Sequence, residues 1–132
     1  MSKKLILSPI SAAAPKPLYE QVVDGIKREI AAGRLEPNSL LPSFRDLAEN
    51  LLISVVTVKR AYDELEREGI IYRKQGLGTF VSANGSARNR ELQTARVEAL
   101  MRQAVREAAE ACLEEDELLG MLGRLLGERK EG

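Results

Sequence analysis

Hydrophobic positions along the chain change period from segment to segment, and each period names an element. Leu18, Val22, Ile26 and Ile30 recur every four residues, which stacks them on one face of a helix. Pro17 suits the start of that helix, where a missing N–H costs nothing, and Gly33 is placed to cap its end. Tyr19 and Val23 fall on its flank. A second amphipathic segment follows Ser43, a cap with Asp46 three residues on in the manner of a capping box; Phe44, Leu47, Ala48 and Leu51 point inward and Arg45 faces out. A third follows the cap Ser54, with Val58, Ala61, Tyr62 and Leu65 at helical spacing and Gly69 closing it. Only Leu52 and Ile53 separate the last two, and so short a connection predicts the sharp crossing of a helix-turn-helix.

Between the first two helices, Arg34 to Pro42 is turn chemistry, with Leu35, Leu40 and Leu41 expected to cover the core. After Gly69 the period shortens. Ile70 to Lys74 and Thr79 to Val81 are β-prone runs around a glycine-bearing loop, which predicts a hairpin with its cations at the tip. Placed behind the third helix, such a hairpin is a wing. The small polar residues of 83–89 read as a linker. Beyond it Leu92, Val97, Leu100, Met101, Ala104, Val105, Ala108 and Cys112 step by three and four in a coiled-coil-like stripe. Glu114 to Glu117 favour a new helix N-terminus, and Leu118, Leu119, Leu122, Leu125 and Leu126 form a last short helix. Two helices this short cannot bury their apolar faces alone, so a second copy of the chain is the simplest cover. Leu100, Met101, Ala104, Val105, Ala108, Leu122 and Leu125 are expected to carry that dimerisation.

The predicted fold is mainly α with a small β-hairpin wing. It comprises an extended arm (1–16), a winged helix-turn-helix domain (17–82), a linker (83–89) and a helical dimerisation tail (90–132). Within the arm, Leu5, Ile6 and Leu7 are expected to lie along the body while Lys3 and Lys4 stay mobile.

Composition narrows the chemistry. At 132 residues the chain has room for one modest core and an appendage. With no histidine and one cysteine, Cys112, histidine-based triads, Cys/His zinc and an internal disulfide are excluded. Cys112 lies among alanines and is expected to be a small buried residue. No nucleophile, base and oxyanion set converges, so an enzyme is not expected, nor is a cofactor. No run is long enough to span a membrane and no signal peptide is evident, which predicts a cytoplasmic protein with no membrane partner. Net charge is zero overall, with 12 basic and 10 acidic residues through Ser82 against 8 and 10 after it. A nucleic-acid partner would therefore have to be met by position, where Arg45, Lys59, Arg60, Arg73 and Lys74 converge.

The third helix has such a layout. Its first turn presents Ser54, Val55, Val56 and Thr57, short groups, with Lys59 and Arg60 behind. A helix that enters the DNA major groove by its N-terminus needs small side chains near the base edges and positive charge where phosphates pass. The plain alternative is one more surface helix of a bundle, with both cations solvated.

The flanking segments favour the first reading. PLYEQVVDGIKREIAAGRL, LLPSFRDLAENL, SVVTVKRAYDELEREGII and RKQGLGTFV follow one another in an order and spacing that resemble the winged helix-turn-helix domain of the GntR family of bacterial transcription regulators. The entry LSPISAAAPKPLYEQV and a tail of about fifty residues look like the YtrA-type subfamily. The resemblance implies a homodimeric transcription regulator, expected to be a repressor, that binds double-stranded DNA at an inverted repeat. It implies DNA contacts from Arg45, from Ser54, Val55, Val56, Thr57 and Lys59, and from Gln75 and Gly76 at the wing. An unidentified small-molecule effector is also implied, although no polar cluster marks a pocket for one.

Two departures stand out. Val55 and Val56 occupy positions where many relatives carry arginine or asparagine; valine cannot hydrogen-bond a base and packs only on a thymine methyl or a sugar. Arg45 is therefore expected to carry much of the base-specific hydrogen bonding, rather than only pairing with Glu49. Leu52 stands where glycine is common and suggests a tighter or differently set turn. The two exposed valines also keep a rival open, a winged-helix protein-interaction module that has given up DNA.

Overall fold

The structure, a computed structural model, describes Leu7 and residues 10–131. Leu5, Ile6, Lys3 and Lys4 of the expected arm lie outside the described residues; Leu7 packs against the core and its side chain closes on Gly25. The elements are α1 (Leu18–Ala31), α2 (Phe44–Leu51), α3 (Val55–Arg67), β1 (Ile71–Lys74), β2 (Gly78–Val81), α4 (Gly85–Glu110) and α5 (Glu115–Glu131). They fall into two compact units, Met1–Leu92 and Gln93–Gly132.

In the first unit, α1, α2 and α3 enclose one core. Val22, Ile26, Ile30, Leu47, Val58, Ala61, Tyr62 and Leu65 are buried there, joined by Ile70, Ile71 and Val81 from the hairpin. Val23, expected on the flank, is in this core too. Tyr62 resolves its polarity by donating its hydroxyl to the Pro42 carbonyl at 2.8 Å, while Phe44 meets its ring edge-on at 5.2 Å. Burial, and secondarily the charge of Asp46, hold the phenol well above the ordinary tyrosine range, so it stays a neutral donor.

Local chemistry sets the helix ends. Ser43 Oγ accepts from the Asp46 N–H and Ser54 Oγ from the Thr57 N–H, both at 3.1 Å. After α1 and α3 the chain turns left-handed at Gly33 and Gly69. After α2 the same conformation is taken by Leu52, at φ 57° and ψ 46°, and the Ile53 N–H returns to the Ala48 carbonyl at 3.1 Å. The turn is thus the one a glycine would make, not a differently set one. A leucine there costs about 1–2 kcal/mol, because its Cβ crowds the carbonyl.

β1 and β2 pair antiparallel from Ile71↔Val81 to Lys74↔Gly78, leaving a three-residue tip, Gln75 to Leu77. The cations expected at that tip stand instead on β1. A third segment supports the wing: Leu40 bridges Phe80, the Leu41 N–H donates to the Thr79 carbonyl at 2.8 Å and the Val81 N–H to Ser39 at 3.0 Å. Gly78 stands at φ 122°, which L side chains rarely adopt, and a Cβ there would also meet the Leu40 Cδ1 methyl at 2.8 Å.

The predicted linker is not one. Residues 85–89 are the first turns of α4, and their small polar composition serves close docking. A Cβ on Gly85 would meet the Ile70 carbonyl at 2.8 Å. Asn89 is 1 % exposed and donates to the Lys27 carbonyl at 3.0 Å, and Arg88 donates to the Glu68 carbonyl at 3.1 Å. Leu92, assigned from sequence to the tail stripe, packs on the winged-helix core.

In the second unit the rest of α4 meets α5 at a tight corner. Cys112 takes the left-handed conformation, and the Leu113 N–H donates to the Ala108 carbonyl at 2.9 Å. Cys112 is exposed, contrary to expectation, because the corner that stops α4 turns it outward. Ala108 is buried within its own chain, whereas Leu100, Met101, Val105, Leu122 and Leu125 are all exposed, as is Ala104.

Candidate nucleic-acid interface

The start of α2, the start of α3 and the wing supply the residues singled out from sequence. Arg45 stands exposed on the first turn of α2 and makes no ion pair among the described residues, so the expected Glu49 partnership is not formed. The Ser54 cap frees the first turn of α3 to project: Val55 is 42 % exposed and Val56 76 %. Ser54 Oγ and Thr57 Oγ1 lie 2.7 Å apart, hydrogen-bonded to each other. At the wing tip Gln75 and Gly76 are exposed, with Gly76 at φ 79° closing the turn, and Leu77 beside them is 62 % exposed.

The start of α2 and the wing face each other across a groove of about 550 Å³, lined among others by Pro42, Ser43, Phe44, Lys74, Gln75 and Leu77. This groove was not legible in the sequence, because it depends on the Leu40–Phe80 bridge that pulls the wing alongside α2.

The five cations do not all converge. The Arg60 guanidinium lies 3.8 Å over the Tyr19 ring, on the α1 side. Arg73 and Lys59 share a residue that sequence reading missed: Asp63 Oδ1 is 3.3 Å from Arg73 and Oδ2 is 3.6 Å from Lys59. Arg73 also stands over the Phe44 ring at 5.2 Å. Asp63 thus links α3 to β1. Its four-residue spacing from Lys59 was available as a signal, but that from Arg73 was not.

Three helices with a tight α2–α3 turn, followed by a hairpin wing, define a winged helix-turn-helix regulator with a helical C-terminal region. The matches to known proteins agree. Residues 18–81 match the model described as "Bacterial regulatory proteins, gntR family". The repressor YtrA of Bacillus subtilis is 32 % identical over 123 residues, covering 93 % of this chain and 95 % of YtrA. The chain belongs to the GntR family, and its likeness to YtrA extends through the C-terminal helices. A transcriptional regulator from Oenococcus oeni superposes with a TM-score of 0.71 at 31 % identity, covering 89 % of this chain and 97 % of that one. The DNA-binding domain of AraR, solved in complex with an operator, matches with a TM-score of 0.50 at 30 % identity over 61 % of this chain and 96 % of its own. The winged-helix part alone also matches longer bacterial repressors, of whose length the chain spans 30 % and 29 %. Among the described residues, no helix is long and apolar enough to cross a membrane.

Proposed function

We propose that this regulator is a repressor that binds an inverted-repeat operator as a homodimer. The observation that carries the reading is the joint exposure of Arg45, the first turn of α3 and the wing tip. In this reading α3 enters the major groove, with Ser54, Val55, Val56, Thr57 and Lys59 along the base edges and nearest phosphates, and Arg45 donates to a base from α2. Gln75 and Gly76 follow the minor groove. The groove between Ser43 and Lys74 straddles a phosphate strand. Apolar residues on α4 and α5 join two protomers, so that two copies of α3 meet successive major grooves roughly 34 Å apart. The name of the long-range relative, a repressor, and the operator complex of AraR support this reading.

Fluorescence anisotropy on duplexes from the gene's own promoter tests it. Affinity is expected to fall by roughly 10³-fold between 50 and 200 mM salt, as phosphate-bound counterions are released. The two exposed valines favour a second reading, a protein-docking module. A flat salt dependence together with indifference to sequence would decide for that one.

Asp63 gives a sharper expectation. Because it holds both Lys59 and Arg73, Asp63→Asn releases two cations and removes a negative charge beside the duplex. Binding to random-sequence DNA is expected to tighten roughly fivefold at low salt, equivalent to about 1 kcal/mol, with a salt slope steeper by about one. Discrimination for the operator shrinks accordingly, which a competition titration would read.

A further inference from the structure

The first turn of α3 has unusually little to offer a base by hydrogen bonding. Ser54 Oγ accepts the Thr57 N–H at 3.1 Å and is bonded to Thr57 Oγ1 at 2.7 Å. One hydroxyl hydrogen is consumed between the two oxygens, so at most one O–H remains for a ligand. Everything else projecting from this turn is hydrocarbon. Val55 and Val56 are 42 % and 76 % exposed, and Leu52, two residues before the cap, is 90 % exposed in a backbone conformation that leucine adopts only at a cost.

Such exposure is unusual at the end of a small helix whose other apolar residues are fully buried. Val58, Ala61, Tyr62 and Leu65 of the same helix are all at 0 %. An apolar surface at this place needs an apolar occupant, and charge picks the class that brings it. Lys59 lies one turn further on and Arg45 stands exposed on the preceding helix with no ion pair among the described residues, so the surroundings suit a polyanion. A duplex presents one hydrocarbon group in its major groove, the C5 methyl of thymine.

We infer that this regulator reads thymine C5 methyl groups, through Val55 and Val56 with Leu52 alongside, as a main element of its sequence preference. The inference rests on the DNA-binding reading above and deepens it. Each half-site contains thymines where α3 enters, recognised by desolvation of their methyls, while Arg45 supplies the hydrogen-bonded base. Specificity at those positions is a matter of methyl against hydrogen at C5.

Uracil in place of thymine removes that methyl and leaves the hydrogen-bonding edge intact, so it isolates the effect. Duplexes enriched by the full-length protein from a random library are resynthesised with uracil at each thymine in turn, and affinities are measured for the protein and for Val56→Ala. The expected result is a loss of about fourfold per critical methyl, confined to thymines at one position set in each half-site. In Val56→Ala at least one of those losses disappears, because the methyl has lost its partner. Equal affinity for thymine and uracil duplexes, in a protein that still selects a sequence, overturns the inference and leaves the DNA-binding reading standing. Failure to enrich any sequence overturns both. Uracil losses unchanged in Val56→Ala also count against it, since they then report on DNA shape rather than on this contact. Circular dichroism melting of Val56→Ala is expected to match the parent, because the side chain is exposed.

Discussion

Arg45→Ala is expected to weaken operator binding by about 10- to 100-fold while leaving the fold intact. The magnitude follows from the 1–3 kcal/mol that a well-placed arginine contributes when it donates to guanine, and it is large here because neighbouring donors are scarce. With the hydroxyls of Ser54 and Thr57 engaged with each other and two valines on the same turn, the proposed mode of binding leaves Arg45 as the main hydrogen-bonding donor at the head of the helix pair. It is exposed and takes part in no ion pair among the described residues, so truncation removes nothing from the core. A thermal melt is expected to shift by no more than the equivalent of about 0.5 kcal/mol. If Arg45 served only as a point charge on phosphate, random and operator duplexes would lose affinity equally. The ratio of the two is therefore the measurement that matters, and it is expected to fall.

A larger effect is expected from the tail. Val105→Glu combined with Leu122→Glu places a charge on each of two helices at positions that are exposed in the protomer, at 57 % and 40 %. Both side chains are only partly covered within the chain, so circular dichroism of the double variant is expected to show the parent's helix content. Between two copies, each glutamate would have to be desolvated without a partner, at a cost of several kcal/mol. Sedimentation equilibrium is expected to change from dimer to monomer. Affinity for a full inverted repeat is expected to fall by about 100-fold or more, because the second half-site no longer gains from being tethered to the first. Affinity for an isolated half-site is expected to stay the same. A variant that remains dimeric and binds the full repeat as before would remove these faces from the assembly.

What could be read from the chain was whatever depends on neighbours within one helical turn. The faces of α1 and α3, the caps Ser43 and Ser54 and the glycines after α1 and α3 all follow from i, i+3 and i, i+4 chemistry, and each lies where the spacing put it. The class of fold followed from these together, while the family came from the resemblance of four successive phrases between Pro17 and Val81 and not from periodicity. What was missed depends on residues that meet from far apart. The Leu40–Phe80 bridge, the Asp63–Arg73 pair and the Asn89–Lys27 contact join positions 40, 10 and 62 residues apart, and no periodicity announces them. Composition misled in two places. The stretch 83–89 looked like a tether because docking against a carbonyl demands the same small residues as a flexible loop. Cys112 looked interior because its neighbours are alanines, yet the left-handed corner between α4 and α5 turns it to solvent. Leu52 was recognised as out of place; that it would take a glycine's conformation unchanged is a property of the turn, in which the Ile53 N–H returns to the Ala48 carbonyl.

The seat of Gly85 and Asn89 against the winged-helix core has a consequence for how such proteins can be cut and rejoined. The border between the two compact units falls inside an uninterrupted helix, after Leu92, and not in the polar stretch that looks like a seam. A gene fusion that exchanged C-terminal halves at Ser82 would strip the reader of a wall that its own core needs. One spliced after Leu92 would hand over the whole reader with its last hydrogen bonds in place. In this chain the place to cut is therefore inside a helix, and the small polar stretch before it belongs to the part that must travel whole.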